Sequence, residues 1–133
     1  MKAPQMILEQ QKINFKNPIS LTVHSNFKIL TLKEKVEWLN YYNRLPISMQ
    51  DVYYAPEYYE IYENHFDGEA KCFIYDDGKN LALYPFLINK INDLGYDLDD
   101  DYFDIRGAYG YNGVVYSSDD QNFRKKFYEE TIW

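Results

Sequence analysis

At 133 residues the chain has the length of one domain, enough to bury roughly two thirds of the surface its unfolded form exposes. Acidic side chains outnumber basic ones by 21 to 14, a net charge of −7, so the basic stripe that a nucleic-acid backbone demands is missing and DNA binding is not expected. No run approaches the roughly 18 apolar residues of a membrane span, and no basic start followed by an apolar run marks a secretory signal, which makes the cytosol the default location.

One cysteine, Cys72, excludes an internal disulfide and a Cys-rich metal site. It lies in the apolar run Cys72-Phe73-Ile74-Tyr75, the setting of a buried structural thiol. Tyrosine dominates the aromatics with fifteen copies. Such abundance fits a core that reaches the surface, an interface, or a site for a polar organic ligand.

Residues 1–20 are polar and mixed, punctuated by Pro4 and Pro18, and read as an N-terminal arm or edge segment. Residues 21–133 then form one domain. Leu21-Thr22-Val23 and Phe27-Lys28-Ile29-Leu30 read as short strands around the turn-prone Ser25-Asn26. Thr31 and Glu34 have the spacing of a capping box, which predicts a helix start. Leu32, Val36, Leu39 and Tyr42 follow as one apolar stripe that Pro46 closes, with Trp38 off the stripe. Pro56 occupies the position of a first helical residue. Tyr58, Ile61, Tyr62 and Phe66 line one side of this second helix, Asp67-Gly68 ends it, and His65 reads as a helix-end histidine.

Lys71 to Tyr75, the turn Asp76-Asp77-Gly78-Lys79 and the return from Asn80 to Ile88 predict a β-hairpin. Pro85 lacks an N–H, so its position is expected at an edge, at a bulge or near the strand end. Asn92 to Asp101 is an acidic loop that misses the mid-loop glycine and the closing Glu at position twelve of a calcium loop, and it reads as solvated. Phe103 and Ile105 alternate with Asp104 and Arg106, which puts the two charges on one face of a strand, where they could form an ion pair. Val114 to Tyr116 resumes an extended run. Ser118, three residues before Gln121, marks a helix start, and Phe123 and Phe127 share one face of that helix.

The order strand, helix, helix, hairpin, strand, strand, helix is an α+β layout, a mostly antiparallel sheet flanked by helices. Another strand would be expected after the last helix, so the domain reads as incomplete at its C-terminus. A second copy is then expected to cover exposed apolar surface, as a homodimer.

Between the last two strands lies Tyr102-Phe-Asp-Ile-Arg-Gly-Ala-Tyr-Gly-Tyr-Asn-Gly-Val-Val-Tyr116. Gly107, Gly110 and Gly113 break the strand pattern, and Tyr109 and Tyr111 sit inside the break. Strand, shaped loop, strand is the simplest reading, with the loop either recognising something or packing under another element. The glycines do not spell a phosphate loop. Walker A needs Gly-Lys-Ser/Thr, and the dinucleotide fingerprint must open a helix, whereas these glycines lead into Val114-Val115-Tyr116. No Gly-x-Ser-x-Gly elbow supports a hydrolase, and His24 and His65 with Cys72 are too few for a zinc site without carboxylates. Paired carboxylates for glycoside cleavage stay open, because abundance gives no geometry. Transfer chemistry carried by backbone groups and bound substrates remains, or binding without chemistry.

Three stretches carry a resemblance. Asp51-Val-Tyr-Tyr-Ala-Pro-Glu-Tyr58, Ala82-Leu-Tyr-Pro-Phe86 and above all Tyr102 to Gly113 resemble the N-terminal part of FemAB-like proteins, which belong to the GNAT-related acyltransferases and include the peptidoglycan aminoacyltransferases. In that group a strand ending in an Asp-Ile-type pair runs into a Tyr-Gly-Tyr-Gly-like loop. Asp104-Ile105 and Tyr109-Gly110-Tyr111 match, with Asn112 inserted before Gly113.

The resemblance implies a GNAT-like layered fold and transfer of an acyl or aminoacyl group to an amine, on a small molecule or on a cell-wall or surface-polymer precursor. The donor would be acyl-CoA or aminoacyl-tRNA, with no cofactor or metal held in this chain. Arg106 has Tyr109, not glycine, three positions on, unlike the pyrophosphate loop of the superfamily, and the resemblance implies that the strands and loops that bind the donor would lie beyond Trp133. No catalytic residue is carried over. Asp104, Arg106, Tyr109 and Tyr111 are the candidates for positioning substrate. The alternative is a non-enzymatic binding or protein-interaction module that uses its tyrosines and acidic loop as a surface.

Overall fold

A computed structural model describes residues 26–110 and 112–131. The arm over residues 1–20, the Leu21-Thr22-Val23 segment and Tyr111 lie outside the described residues. Strand β1 (Phe27–Thr31) leads to helices α1 (Lys35–Arg44) and α2 (Pro56–Asn64), then to the hairpin strands β2 (Glu69–Asp76) and β3 (Leu81–Lys90). Short strands β4 (Phe103–Arg106) and β5 (Val115–Tyr116) and helix α3 (Gln121–Thr131) complete the α+β layout.

All pairings are antiparallel, in the order β1-β2-β3-β4, with β5 also on β3. Cys72 of β2 is opposite both Leu30 of β1 and Pro85 of β3. The hairpin turn is held by Asp77, whose carboxylate accepts from the amides of Lys79 and Asn80 at 2.9 and 2.7 Å.

The sheet is covered on both faces, which is why β2 and β3 are apolar almost throughout. On one face Trp38, Leu45 and Tyr59 pack with Cys72, Ile74, Leu83 and Leu87. On the other Phe123 and Phe127 of α3 pack with Phe73, Tyr75, Phe86 and Ile105. Burial holds the Cys72 thiol protonated, far above its ordinary range, as its structural role requires.

The capping box at Thr31 and Glu34 forms, but it opens a 3-10 turn (Leu32–Glu34) that α1 then follows. This changes the phase of the helix. Trp38 is 0% exposed, with its indole N–H on the Tyr54 carbonyl at 3.1 Å, while Val36 of the expected stripe is 74% exposed. Leu32 and Tyr42 of the expected stripe pack against the core, but the fully buried residues are Trp38, read as off the stripe, and Leu45 at the helix end. At the other end of α1, Arg44 clasps Asp76 with two bonds of 2.6 and 3.2 Å, fastening the helix to the hairpin turn. Two hydrogen bonds to one carboxylate fix direction as well as distance.

Helix α2 starts at Pro56 as expected, but its buried aromatic is Tyr59, and Ile61 and Phe66 are exposed. The helix ends at Asn64, with His65 at the C-cap. Phe66 follows with φ 61°, while the amides of Phe66 and Asp67 bond back to the carbonyls of Glu63 and Tyr62. That is a Schellman ending with phenylalanine in the place glycine usually takes.

Helix α3 starts two residues later than Ser118 suggests. Asp120 accepts from the amides of Asn122 and Phe123, and the Ser118 hydroxyl instead serves the buried Asn80 at 2.8 Å. The shared face of Phe123 and Phe127 is as expected. The acidic side chains between Asn92 and Asp101 are exposed, with Lys90 on Asp101 and the Tyr102 hydroxyl on Asp99.

Candidate functional site

Strands β4 and β5 share one edge of β3 without meeting. Arg106 lies opposite Leu87 and Val115 opposite Leu83, so three residues of β3 face the eight residues from Gly107 to Val114. The surplus chain leaves the sheet as a loop. Pro85 sits in the middle of that gap. In an antiparallel strand the amide and carbonyl of one residue point to the same side. The Pro85 carbonyl is met from the gap side, so the missing N–H faces the gap too and no ladder bond is lost. Of the positions expected for Pro85 the edge is the one that fits, because the β2–β3 register runs unbroken through the Cys72–Pro85 pair and the other side of β3 has no strand partner there.

Tyr59 closes the gap. Its ring is 0% exposed, its hydroxyl donates to the Pro85 carbonyl at 3.2 Å and accepts from the Ala108 amide at 3.2 Å. Burial pushes its pKa up to about 12, so the proton that makes the first bond is always present near neutrality. Ala108 is pulled into the core beside Trp38 and Tyr59, and the loop is packed from below at this point.

Its tip is held by a second tyrosine. The Tyr58 hydroxyl donates to the Tyr109 carbonyl. A phenol has one hydrogen to give, so the Tyr62 hydroxyl, 3.2 Å away, is the donor in its bond with Tyr58. Burial and that neighbour raise the Tyr58 pKa. The rings of Tyr53 and Tyr62 meet Tyr58 edge-on at 5.0 and 5.3 Å, and Trp38 and Tyr59 lie 5.9 Å apart further in. A column of aromatic rings runs from the core to the loop.

Two glycines are needed for this shape. At Gly110 the backbone has φ 105°, and a Cβ there would fall 2.4 Å from the Tyr53 ring. At Gly107 a Cβ would fall 2.4 Å from the Asn112 Cβ, so the two ends of the loop nearly touch. Tyr53, Ala108, Tyr109, Gly110 and Asn112 surround an open depression of 510 Å³.

Of the four candidates, Tyr109 borders this depression, with 81% of its surface exposed. Asp104 and Arg106 are exposed on β4 on either side of the buried Ile105, as the alternation predicts. They do not form the ion pair suggested by their spacing. Arg106 turns to the end of α2, where it bonds the Asp67 carbonyl at 3.1 Å and pairs with its carboxylate at 3.3 Å. Neither charge lines the depression. Tyr111 lies outside the described residues.

Sequence reasoning missed Tyr53, Tyr59 and Asn112 as parts of the site. The paired tyrosines Tyr53-Tyr54 and Tyr58-Tyr59, flanking Ala55-Pro56, were the available signal. Among the described residues no group of three or more His, Cys, Asp or Glu is arranged to hold a metal ion, and no helix is long and apolar enough to cross a membrane. No family model, curated protein or solved structure matches the chain.

Proposed function

We propose that this chain is the acceptor-binding part of a FemAB-like acyl- or aminoacyltransferase that acts on an amine, carried by a cell-wall or surface-polymer precursor. The observation that carries the reading is the Tyr-Gly-Tyr loop itself. It leaves the sheet at an interrupted edge, is braced by Tyr58 and Tyr59, and shapes a depression with Tyr53. The helix–helix–hairpin order that precedes it belongs to the same resemblance.

In the reaction the amine nitrogen attacks the donor carbonyl, an amide bond forms, and the thioester or ester bond to the carrier breaks. The amine proton leaves with the thiol or hydroxyl carrier, directly or through solvent. This chain's contribution is to hold the acceptor so that its amine meets the donor, since proximity and orientation supply much of such a rate. The net charge of −7 makes an acyl-CoA thioester the first donor to test, ahead of the larger polyanion aminoacyl-tRNA.

The test uses the protein at the length its own cells make. It is incubated with labelled acetyl-CoA or with aminoacyl-tRNA and amine-bearing precursors, and the products are read by mass spectrometry. The expected product is an amide with one of the two donors.

A second reading is a binding module without chemistry. It is favoured by one observation: among the described residues the depression is bordered by tyrosine, glycine, alanine and asparagine, with no carboxylate, histidine or lysine. Binding of a precursor without amide formation from either donor selects it.

A further inference from the structure

The pair Asn112-Gly113 carries a chemistry of its own. The backbone nitrogen that follows an asparagine can attack the carbon of the side-chain amide and close a succinimide ring. A side chain on the following residue hinders that attack, and glycine has none. Hydrogen bonding hinders it too, because a held amide must first open before it can lose its proton and turn toward the side chain.

The fold sorts the asparagines by these criteria. After Asn64 the His65 amide is held by the carbonyls of Ile61 and Tyr62. After Asn80 the Leu81 amide donates to the Ser117 hydroxyl at 2.8 Å, and after Asn122 the Phe123 amide donates to Asp120 at 3.1 Å. Asn112 differs on every count. It is exposed, and no other asparagine of the chain is followed by glycine. Among the described residues nothing accepts from the Gly113 amide, and the space where a Gly113 side chain would stand is open. The Asn112 side-chain amide is tethered to the Gly110 carbonyl at 3.4 Å, beyond the ordinary range of such a bond.

We infer that Asn112 is a site of spontaneous deamidation. The Gly113 nitrogen gives up its proton and bonds to the Asn112 Cγ, the bond from Cγ to Nδ2 breaks, and the nitrogen leaves as ammonia with a proton regained from water. Water then opens the succinimide in one of two ways. Breaking the new bond leaves aspartate at position 112. Breaking the original peptide bond leaves isoaspartate, whose chain runs through Cγ and is longer by one methylene.

The product alters the neck of the loop that carries Tyr109. The Asn112 Cβ and Cγ stand where a Gly107 side chain would be, so this side chain fills the space between the two ends of the loop. A carboxylate there has no hydrogen to give the Gly110 carbonyl, and the oxygens repel each other. The longer backbone of isoaspartate pushes the ends apart. Tyr58 and Tyr59 still hold Tyr109 and Ala108, so the change is confined to the far side of the loop.

Incubation of the full chain in neutral and in mildly alkaline buffer, followed by peptide mapping, tests the site. Ammonia-for-water exchange is expected in the peptide that contains Asn112, with isoaspartate present by enzymatic methylation and with a faster rate in alkali. Because the fold leaves this pair unprotected, its rate is expected within about fivefold of the rate in guanidinium chloride. Gly113→Ala is expected to slow the conversion about tenfold or more by crowding the attack. Conversion spread evenly over several asparagines, a folded rate about a hundredfold below the denatured one, or an unchanged rate in Gly113→Ala would overturn the inference.

Discussion

The hydroxyl of Tyr59 lies 3.2 Å from the carbonyl oxygen of Pro85 and takes the place of a strand neighbour that β3 lacks at that point. Because the same hydroxyl accepts the Ala108 amide, one buried phenol joins the sheet to the loop that leaves it. Tyr59→Phe keeps the ring and removes both bonds, stranding a buried donor and a buried acceptor. The expected cost is about 1–3 kcal/mol in urea unfolding. Hydrogen exchange at the Ala108 amide is expected to accelerate more than exchange in β2. Unchanged stability together with unchanged protection of Ala108 would contradict this role.

Gly110 and Gly113 both have positive φ, at 105° and 103°, but only Gly110 is crowded. Gly113→Ala meets nothing within 4 Å, so it carries the backbone penalty alone, about 1–2 kcal/mol. Gly110→Ala adds a methyl 2.4 Å from the Tyr53 ring and must displace it. Thermal melts are expected to rank Gly110→Ala clearly below Gly113→Ala, and the reverse order would refute the close approach to Tyr53.

Phe66 holds a left-handed backbone with its ring 95% exposed, so neither the conformation nor the side chain is repaid by packing. Phe66→Gly is expected to stabilise the protein by about 0.5–1 kcal/mol, since glycine adopts this helix ending without the Cβ penalty. A loss of stability in denaturant melts would mean that the ring is packed in solution.

Much of the scaffold could be read from neighbours in the chain. Pro56 at a helix start, the hairpin around Asp77, and the shared face of Phe123 and Phe127 depend on residues a few positions apart, and they appear where expected. The buried sides of α1 and α2 depend on something else. A 3-10 turn shifts the phase ahead of Trp38, and Tyr59 is drawn inward by Pro85 and Ala108, which are 26 and 49 residues away. Helical spacing alone holds no record of such partners. The loop was visible as glycines among tyrosines, but its floor was not. Arg106 illustrates the same limit, because Asp104 was its neighbour in sequence and Asp67 became its partner in space.

Asp76 supplies a pH dependence. The two bonds from Arg44, then the Gly78 amide, hold its pKa below the ordinary 3.8. A carboxylate whose folded pKa is depressed stabilises the fold fully above the unfolded value and loses that contribution as pH falls through the folded one. The stability gap between the wild type and Asp76→Asn is therefore expected to be constant above about pH 5 and to shrink below the ordinary value. A gap that persists unchanged into acid would show that Arg44 does not depress this carboxyl.

The most direct measurement compares wild type and Tyr109→Ala for acceptor use and for melting temperature in the same preparation. The ring is exposed, so its removal is expected to leave stability within about 0.5 kcal/mol. If the loop receives the acceptor, KM for the amine rises about tenfold or more while kcat changes less, the signature of lost binding. Unaltered acceptor KM at unaltered stability would remove Tyr109, and the loop with it, from the site.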